Sequence, residues 1–201
     1  MLELDVHLTK DGEVVVAHDQ FLQRLTGVST NIRDLNYDQL PNIKETINID
    51  FHPGQYFCDN SVIKEQRSFV KFNEVLKQFP ETNINIDVKV KDEGLVEKVN
   101  QIIVENKAEN KCVWGSFNKE TTDLCYKTNP NIGLIFSMVQ VVKLYLLFYL
   151  GLLAFVDIKE THLELPMPSI FLDDKYRSSR LNIYFVKIKR ISCRGWKCGY
   201  C

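Results

Sequence analysis

Two hydrophobic periods alternate along the chain. Leu2-Glu3-Leu4-Asp5-Val6-His7-Leu8 alternates apolar and polar side chains strictly, which predicts a strand with one apolar face. Asp11-Gly12 supplies a turn, and Val14 to Ala17 reads as a second strand. The same period returns at 84–90, where Ile84, Ile86, Val88 and Val90 face one way and Asn85, Asp87 and Lys89 the other. Phe69, Val70, Phe72, Val75, Leu76 and Phe79 follow helical spacing, and Pro80 stops them. A second amphipathic helix is predicted over 94–106, a strand over 111–116, a helix over 119–127 and a strand over 132–137. Residues 26–41 are polar and turn-rich, with short helical turns near Asp34-Leu35 and Gln39-Leu40-Pro41. Residues 42–66 read as a long loop with a turn at Pro53-Gly54. Strands alternating with helices predict βα units and a parallel sheet, an α/β fold.

From Met138 to Val156 the pattern gives way to an apolar run interrupted only by Gln140 and Lys143 among strongly polar residues. A bilayer span needs about 20 apolar residues. Three readings fit: a helix of the fold with a thick apolar face, a transmembrane helix, or a helix or hairpin inserted in the plane of a membrane surface. In-plane insertion keeps the whole fold on one side of the bilayer.

At 201 residues the chain is long enough for one domain with a sizeable core. Its 25 basic and 26 acidic residues give a formal net charge of −1, no sign of a nucleic-acid partner. Of the six cysteines, Cys58, Cys112, Cys125, Cys193, Cys198 and Cys201, most are read as reduced and structural. Met1 to Asp5 has neither a basic region nor an apolar run. Cys193, Cys198 and Cys201 have zinc-like spacing but lack a clear fourth ligand. Residues 173–201 form a divergent basic tail, with a strand candidate at 181–188 and Arg177, Arg180, Lys187, Lys189, Arg190, Arg194 and Lys197. Contact with anionic lipid and poor order are both compatible with that composition.

The candidate chemistry lies near the start. Glu3 and Asp5 project from one strand face, and His18-Asp19 stands at the end of the next strand. Paired carboxylates with a strand-end histidine are the parts of a metal-assisted hydrolytic site. An exposed hairpin with solvated charges has the same pattern.

The block Glu3-Leu4-Asp5-Val6-x-Leu8-Thr9-Lys10-Asp11-Gly12-x-Val14-Val15-Val16-x-His18-Asp19-x-x-Leu22-x-Arg24-Leu25-Thr26-Gly27 resembles the signature of the glycerophosphodiester phosphodiesterase family. Ile84-Asn85-Ile86-Asp87-Val88-Lys89 resembles that family's next acidic strand. Val113-Trp114-Gly115, Ile135-Phe136-Ser137 and Leu163-Glu164-Leu165-Pro166-Met167-Pro168-Ser169-Ile170 are similar to its membrane-associated vertebrate branch, the lysophospholipase D enzymes. The resemblance spans residues 1–172.

It implies a (β/α)8 TIM barrel of the phospholipase-C-like phosphodiesterase type, which typically takes about 250 residues. It implies a divalent cation, Mg²⁺ or Ca²⁺, on Glu3, Asp5 and Asp87, where the family's usual last ligand is glutamate. It also implies His18 as general acid or base and Lys89 as a phosphate-holding charge. Trp114 and Glu164 are expected near the substrate. His7 shares the face of Asp5, which leaves a supporting role open; His52 and His162 match nothing. The family opens on a His-Arg-Gly strand followed by Glu-Asn-Thr, neither of which occurs here. The expectation is therefore an incomplete barrel, truncated at the N-terminus and towards the C-terminus, with an apolar membrane-associated insertion at 138–156. The expected function is metal-dependent hydrolysis of lysophospholipids or glycerophosphodiesters, at endoplasmic-reticulum or cytoplasmic membranes. The alternatives are an impaired membrane-associated fragment that binds lipid or a partner without turnover, and a zinc module on the tail cysteines.

Overall fold

A sharp hairpin opens the chain. In the computed structural model, which describes residues 1–49, 56–58 and 67–164, β1 (Leu2–Leu8) turns back into β2 (Val14–Val16). Thr9 N–H donates to Glu13 O at 2.9 Å, and Gly12 takes φ +83° at the turn. Only glycine adopts that left-handed conformation without steric cost. The pairing is antiparallel, with Val6 opposite Val16 and His7 opposite Val15. The next segment carries a one-turn helix α1 (Gln23–Thr26) and two 3₁₀ turns at Ile32–Asp34 and Tyr37–Gln39. A small core of its own, made by Val15, Ala17, Leu22, Leu25, Ile32 and Phe69, holds it.

The remaining elements are β3 (Thr46–Asn48), β4 (Tyr56–Cys58), β5 (Val70–Lys71), α2 (Phe72–Gln78), β6 (Ile84–Val88), α3 (Glu93–Glu105), β7 (Cys112–Gly115), α4 (Lys119–Thr128), β8 (Gly133–Leu134) and α5 (Met138–Tyr149). The main sheet has the order β5-β2-β1-β6-β7-β8. β1, β6, β7 and β8 run parallel, as the βα alternation predicts. β2 and β5 add an antiparallel edge, so the sheet is mixed. A two-stranded pair, β3 with β4, lies in the stretch read as loop.

Strand parity sorts the sheet's two faces. Leu4, Val6, Ile84, Ile86, Val88, Cys112, Trp114 and Leu134 point one way and form one core with Phe72, Leu76, Leu95, Val96, Val99, Ile103 and Cys125 of the helices. Glu3, Asp5, His7, Asn85, Asp87, Val113 and Gly115 occupy the alternate positions and share the opposite face. Helix starts follow their caps: Asp92 Oδ1 accepts from Leu95 N–H at 3.1 Å, and Asn118 Oδ1 accepts from Glu120 N–H at 2.8 Å. Arg33 forms an ion pair with Asp92.

Three elements differ from the pattern-based reading. The helix expected over 69–79 begins only at Phe72, because Val70 and Lys71 pair with Val16 and Val15 of β2. The strand expected over 132–137 is reduced to Gly133–Leu134, continued by a single bridge between Ile135 and His162. The apolar run is a 12-residue helix followed by a turn and a 3₁₀ turn at Leu153–Phe155. Gly151, with φ +68°, stands two residues after the helix ends. A helix of 12 residues reaches about 18 Å, short of the roughly 30 Å hydrocarbon core. Among the described residues no helix is long and apolar enough to cross a membrane.

Met1–Leu163 forms one compact unit. Glu164–Cys201 is a second, of which only Glu164 is described. Pro53-Gly54, His52, the tail cysteines, the strand candidate at 181–188 and the basic tail lie outside the described residues.

Candidate active site

The register of β1 against β6 sets Asp5 directly opposite Asp87 and Glu3 opposite Asn85. Lys89, just past the end of β6, closes on the first pair. Its Nζ lies 2.8 Å from Asp5 Oδ1 and 2.7 Å from Asp87 Oδ2. Burial pushes the Asp87 carboxyl above its ordinary pKa, and the Lys89 hydrogen bond opposes that only in part. Burial also pulls the Lys89 ammonium down, but hydrogen bonds to Asp5 and Asp87 reverse this and leave its pKa raised. The other Asp87 oxygen, Oδ1, is buried without a hydrogen bond among the described residues. Gly115 is the register partner of Asp87 on the far side, and a Cβ there would come 3.1 Å from Ile135 Cβ. Glycine keeps that approach open.

His18 belongs to a second, linked group. Its Nδ1 lies 2.6 Å from Asp19 Oδ1. Arg24 grips the same carboxylate with a fork, Nε to Oδ2 at 2.6 Å and Nη2 to Oδ1 at 2.8 Å, while Nη1 donates to Asn48 O at 2.9 Å. Burial disfavours the ionised Asp19, yet hydrogen bonds from Arg24 and His18 hold its pKa below the usual value. His18 stands close enough to act electrostatically on Asp87. His7 is buried beneath, with Nε2 3.4 Å from His18 O, and burial lowers its pKa. An open groove of about 700 Å³, bordered among others by Asp19, Phe21, Arg24 and Lys44, adjoins this group.

The fold thus gathers four predicted site residues, Asp5, Asp87, Lys89 and His18, in one region. Glu3 is exposed on the face of Asp5. Asp5 and Asp87 suit a hard cation: both offer oxygen, they already enclose an ammonium, and Asp87 retains a buried oxygen without a hydrogen bond. Among the described residues no three His, Cys, Asp or Glu side chains gather closely enough to hold a metal, so the expected trio of Glu3, Asp5 and Asp87 is not assembled.

Trp114 contradicts its predicted role. Its side chain is 0% exposed and packs in the sheet–helix core, out of reach of substrate. Its strand neighbours Val113 and Gly115 take the face of the carboxylates instead. His162 lies at the end of the sheet beside Thr161, with Nδ1 2.8 Å from its hydroxyl. Glu164 belongs to the second unit. Pattern reading noted Asp19 beside His18 and Arg24 within the motif but gave neither a role; the fold brings the Arg24 guanidinium onto the Asp19 carboxylate five positions earlier.

Residues 1–169 match the profile of the glycerophosphoryl diester phosphodiesterase family. The chain belongs to that family. Relatives of this family member include mouse lysophospholipase D GDPD1, 44% identical over 172 residues, covering 86% of the chain and 53% of the relative. Mouse lysophospholipase D GDPD3 is 32% identical over 170 residues, covering 85% and 50%. The chain spans about half the length of the curated relatives it matches. Among solved structures, a glycerophosphoryl diester phosphodiesterase domain from Mycobacterium tuberculosis superposes with a TM-score of 0.56 at 16% identity, covering 75% of this chain and 53% of that one. A glycerophosphoryl diester phosphodiesterase from Agrobacterium tumefaciens gives 0.55 at 15% identity, covering 88% and 68%. These likenesses give the family member its α/β fold of the phosphodiesterase type.

Proposed function

We propose that the protein, or the longer chain of which its relatives are examples, is a phosphodiester hydrolase acting on lysophospholipids or glycerophosphodiesters and releasing the head-group alcohol. The observation that carries this reading is the carboxylate pair Asp5–Asp87, held face to face with Lys89 between them and His18 nearby. A divalent cation, Mg²⁺ or Ca²⁺, would be held by Asp5 and Asp87, and when bound would supply charge neutralisation at phosphate and a more acidic attacking oxygen.

The chain's own residues do the rest. Lys89, whose Nζ lies beside both carboxylates, would offer its positive charge to a non-bridging phosphate oxygen. His18, with Nδ1 engaged by Asp19, presents Nε2 to take or give a proton at the scissile oxygen. Relatives bearing the name lysophospholipase D support the lipid substrate over a water-soluble one.

Association with a membrane surface belongs to the same reading. Val139, Val142, Leu146, Tyr149, Leu150 and Phe155 leave 52–82% of their surface exposed on and beyond α5, which suits in-plane contact with lipid. The incomplete barrel with this segment as a membrane-facing element is part of the proposal. A second reading, lipid binding without turnover, draws on Lys89 occupying the cleft and on the unassembled acidic trio.

The test is hydrolysis of lysophosphatidylcholine and glycerophosphocholine by the purified chain, with and without Mg²⁺ or Ca²⁺, alongside sedimentation with phosphatidylcholine vesicles. Metal-dependent release of choline, abolished in the Asp5→Ala and Asp87→Ala variants, is expected. Vesicle binding with no choline release under any metal would replace the hydrolase reading by the second.

A further inference from the structure

We infer that Asp19, clamped by Arg24, is a positioning residue that fixes the tautomer and orientation of His18; this rests on the hydrolase reading above. Three observations carry it. First, His18 Nδ1 and Asp19 Oδ1 are 2.6 Å apart. An ionised carboxylate only accepts, so the shared proton sits on Nδ1 and Nε2 is left as an acceptor. Second, Asp19 is not an independent surface charge. Both of its oxygens are taken by the Arg24 fork, at 2.6 and 2.8 Å, and its side chain is only 17% exposed. Third, Arg24 is itself fixed, because Nη1 donates at 2.9 Å to the carbonyl oxygen of Asn48, the last residue of β3.

The chain His18–Asp19–Arg24–Asn48 therefore runs from an imidazole that is 43% exposed to backbone tied into β3. A histidine at a strand end with that much exposure otherwise samples several rotamers and both neutral tautomers. The clamp selects one. A carboxylate that holds an imidazole through Nδ1–H both orients the ring and stabilises the imidazolium that forms when Nε2 accepts a proton. His18 touches the reacting group in the proposed reaction; Asp19 and Arg24 do not, and act through it. The contacts among His18, Asp19, Arg24 and Asn48 are made without Asp5 or Asp87.

Long-range ¹H–¹⁵N correlation spectra of the 201-residue chain, at a pH where the imidazole is neutral, test this directly, with the His18 resonances assigned by a His18→Asn variant. The wild-type chain is expected to carry the proton of His18 on Nδ1. Asp19→Ala is expected to return His18 to the Nε2–H form that a free imidazole favours. Arg24→Gln, which keeps the carboxylate but removes the fork, is expected to give a mixture of the two. An Nε2–H tautomer in the wild-type chain, or an unchanged Nδ1–H tautomer in Asp19→Ala, overturns the inference. In hydrolysis, Asp19→Ala should lower kcat about 10²-fold while moving KM less than about threefold, the scale of a disabled general acid or base; a KM effect alone would likewise overturn it. Wild-type chain that shows the Nδ1–H tautomer yet releases no alcohol under either metal would defeat the hydrolase reading and leave the positioning role standing.

Discussion

Asp5 and Asp87 are register partners across β1 and β6, and one ammonium, Lys89 Nζ, bridges them at 2.8 and 2.7 Å. Two carboxylates this enclosed repel each other unless a cation lies between them. Lys89 is that cation. The same geometry that suits a divalent ion is thereby held together by a side chain from the end of β6.

Removing that ammonium should be costly. Lys89→Met leaves two largely buried carboxylates without their counter-charge, and the expected loss is about 3 kcal/mol in urea unfolding at pH 7. The pH dependence has a definite sign. Asp87 already has a raised pKa in the fold, so between 3.8 and that raised value the folded state binds more protons than the unfolded one. Stability from this group therefore falls as pH rises through the window. In Lys89→Met the window widens, and the deficit against wild type should shrink as the solution is acidified. A variant as stable as wild type at pH 7 would show that Lys89 is not the counter-ion.

Asp19 has the opposite sign. Its folded-state pKa is depressed, so its contribution is complete above 3.8 and is lost as pH falls through the lower folded value. Asp19→Asn should cost about 1 kcal/mol at pH 7, the partial exposure of the network keeping the figure at the low end for charged hydrogen bonds. The gap between variant and wild type should close in acid. A constant gap across the whole range would place the effect in packing.

Trp114 is a core residue, and its variants should behave accordingly. Trp114→Ala is expected to lose about 3–5 kcal/mol by opening a cavity. Trp114→Phe should lose less and leave KM for any hydrolysed substrate within about twofold, since the side chain is fully buried. A large KM rise in a folded Trp114→Phe protein would restore the substrate-binding role.

The described cysteines should separate cleanly by reactivity. Burial pushes the thiols of Cys112 and Cys125 up to about 12, whereas Cys58 is exposed. Iodoacetamide at pH 8, followed by peptide mass spectrometry, should label Cys58 in the native protein and Cys112 and Cys125 only after addition of urea. Rapid native labelling of Cys125 would mean that α4 opens readily from the sheet.

The sequence by itself determined which residues share a face, because that follows from local backbone geometry. A period of two puts Glu3, Asp5 and His7 together, and Asn85 with Asp87, wherever the strands end up. It also determined the βα order, hence the parallel run β1-β6-β7-β8, and the motif from Glu3 to Gly27 carried the family. Tertiary structure alone decided the rest. Register between two distant strands set Asp5 opposite Asp87, and no local pattern encodes a partner eighty residues away. Strand parity at Cys112-Val113-Trp114-Gly115 was undecided by pattern, since neither face is polar; α3 and α4 settled it by covering the Trp114 side. Val70 and Lys71 left a helical pattern because β2 offered them a strand edge. The apolar run from Met138 matched a bilayer in length, but the helix stopped at Tyr149. The Asp19–Arg24 clamp lay within the motif all along, yet only the fold showed which oxygen each donor takes. Hydrogen-bond geometry depends on how side chains meet, and a sequence records only that they are present.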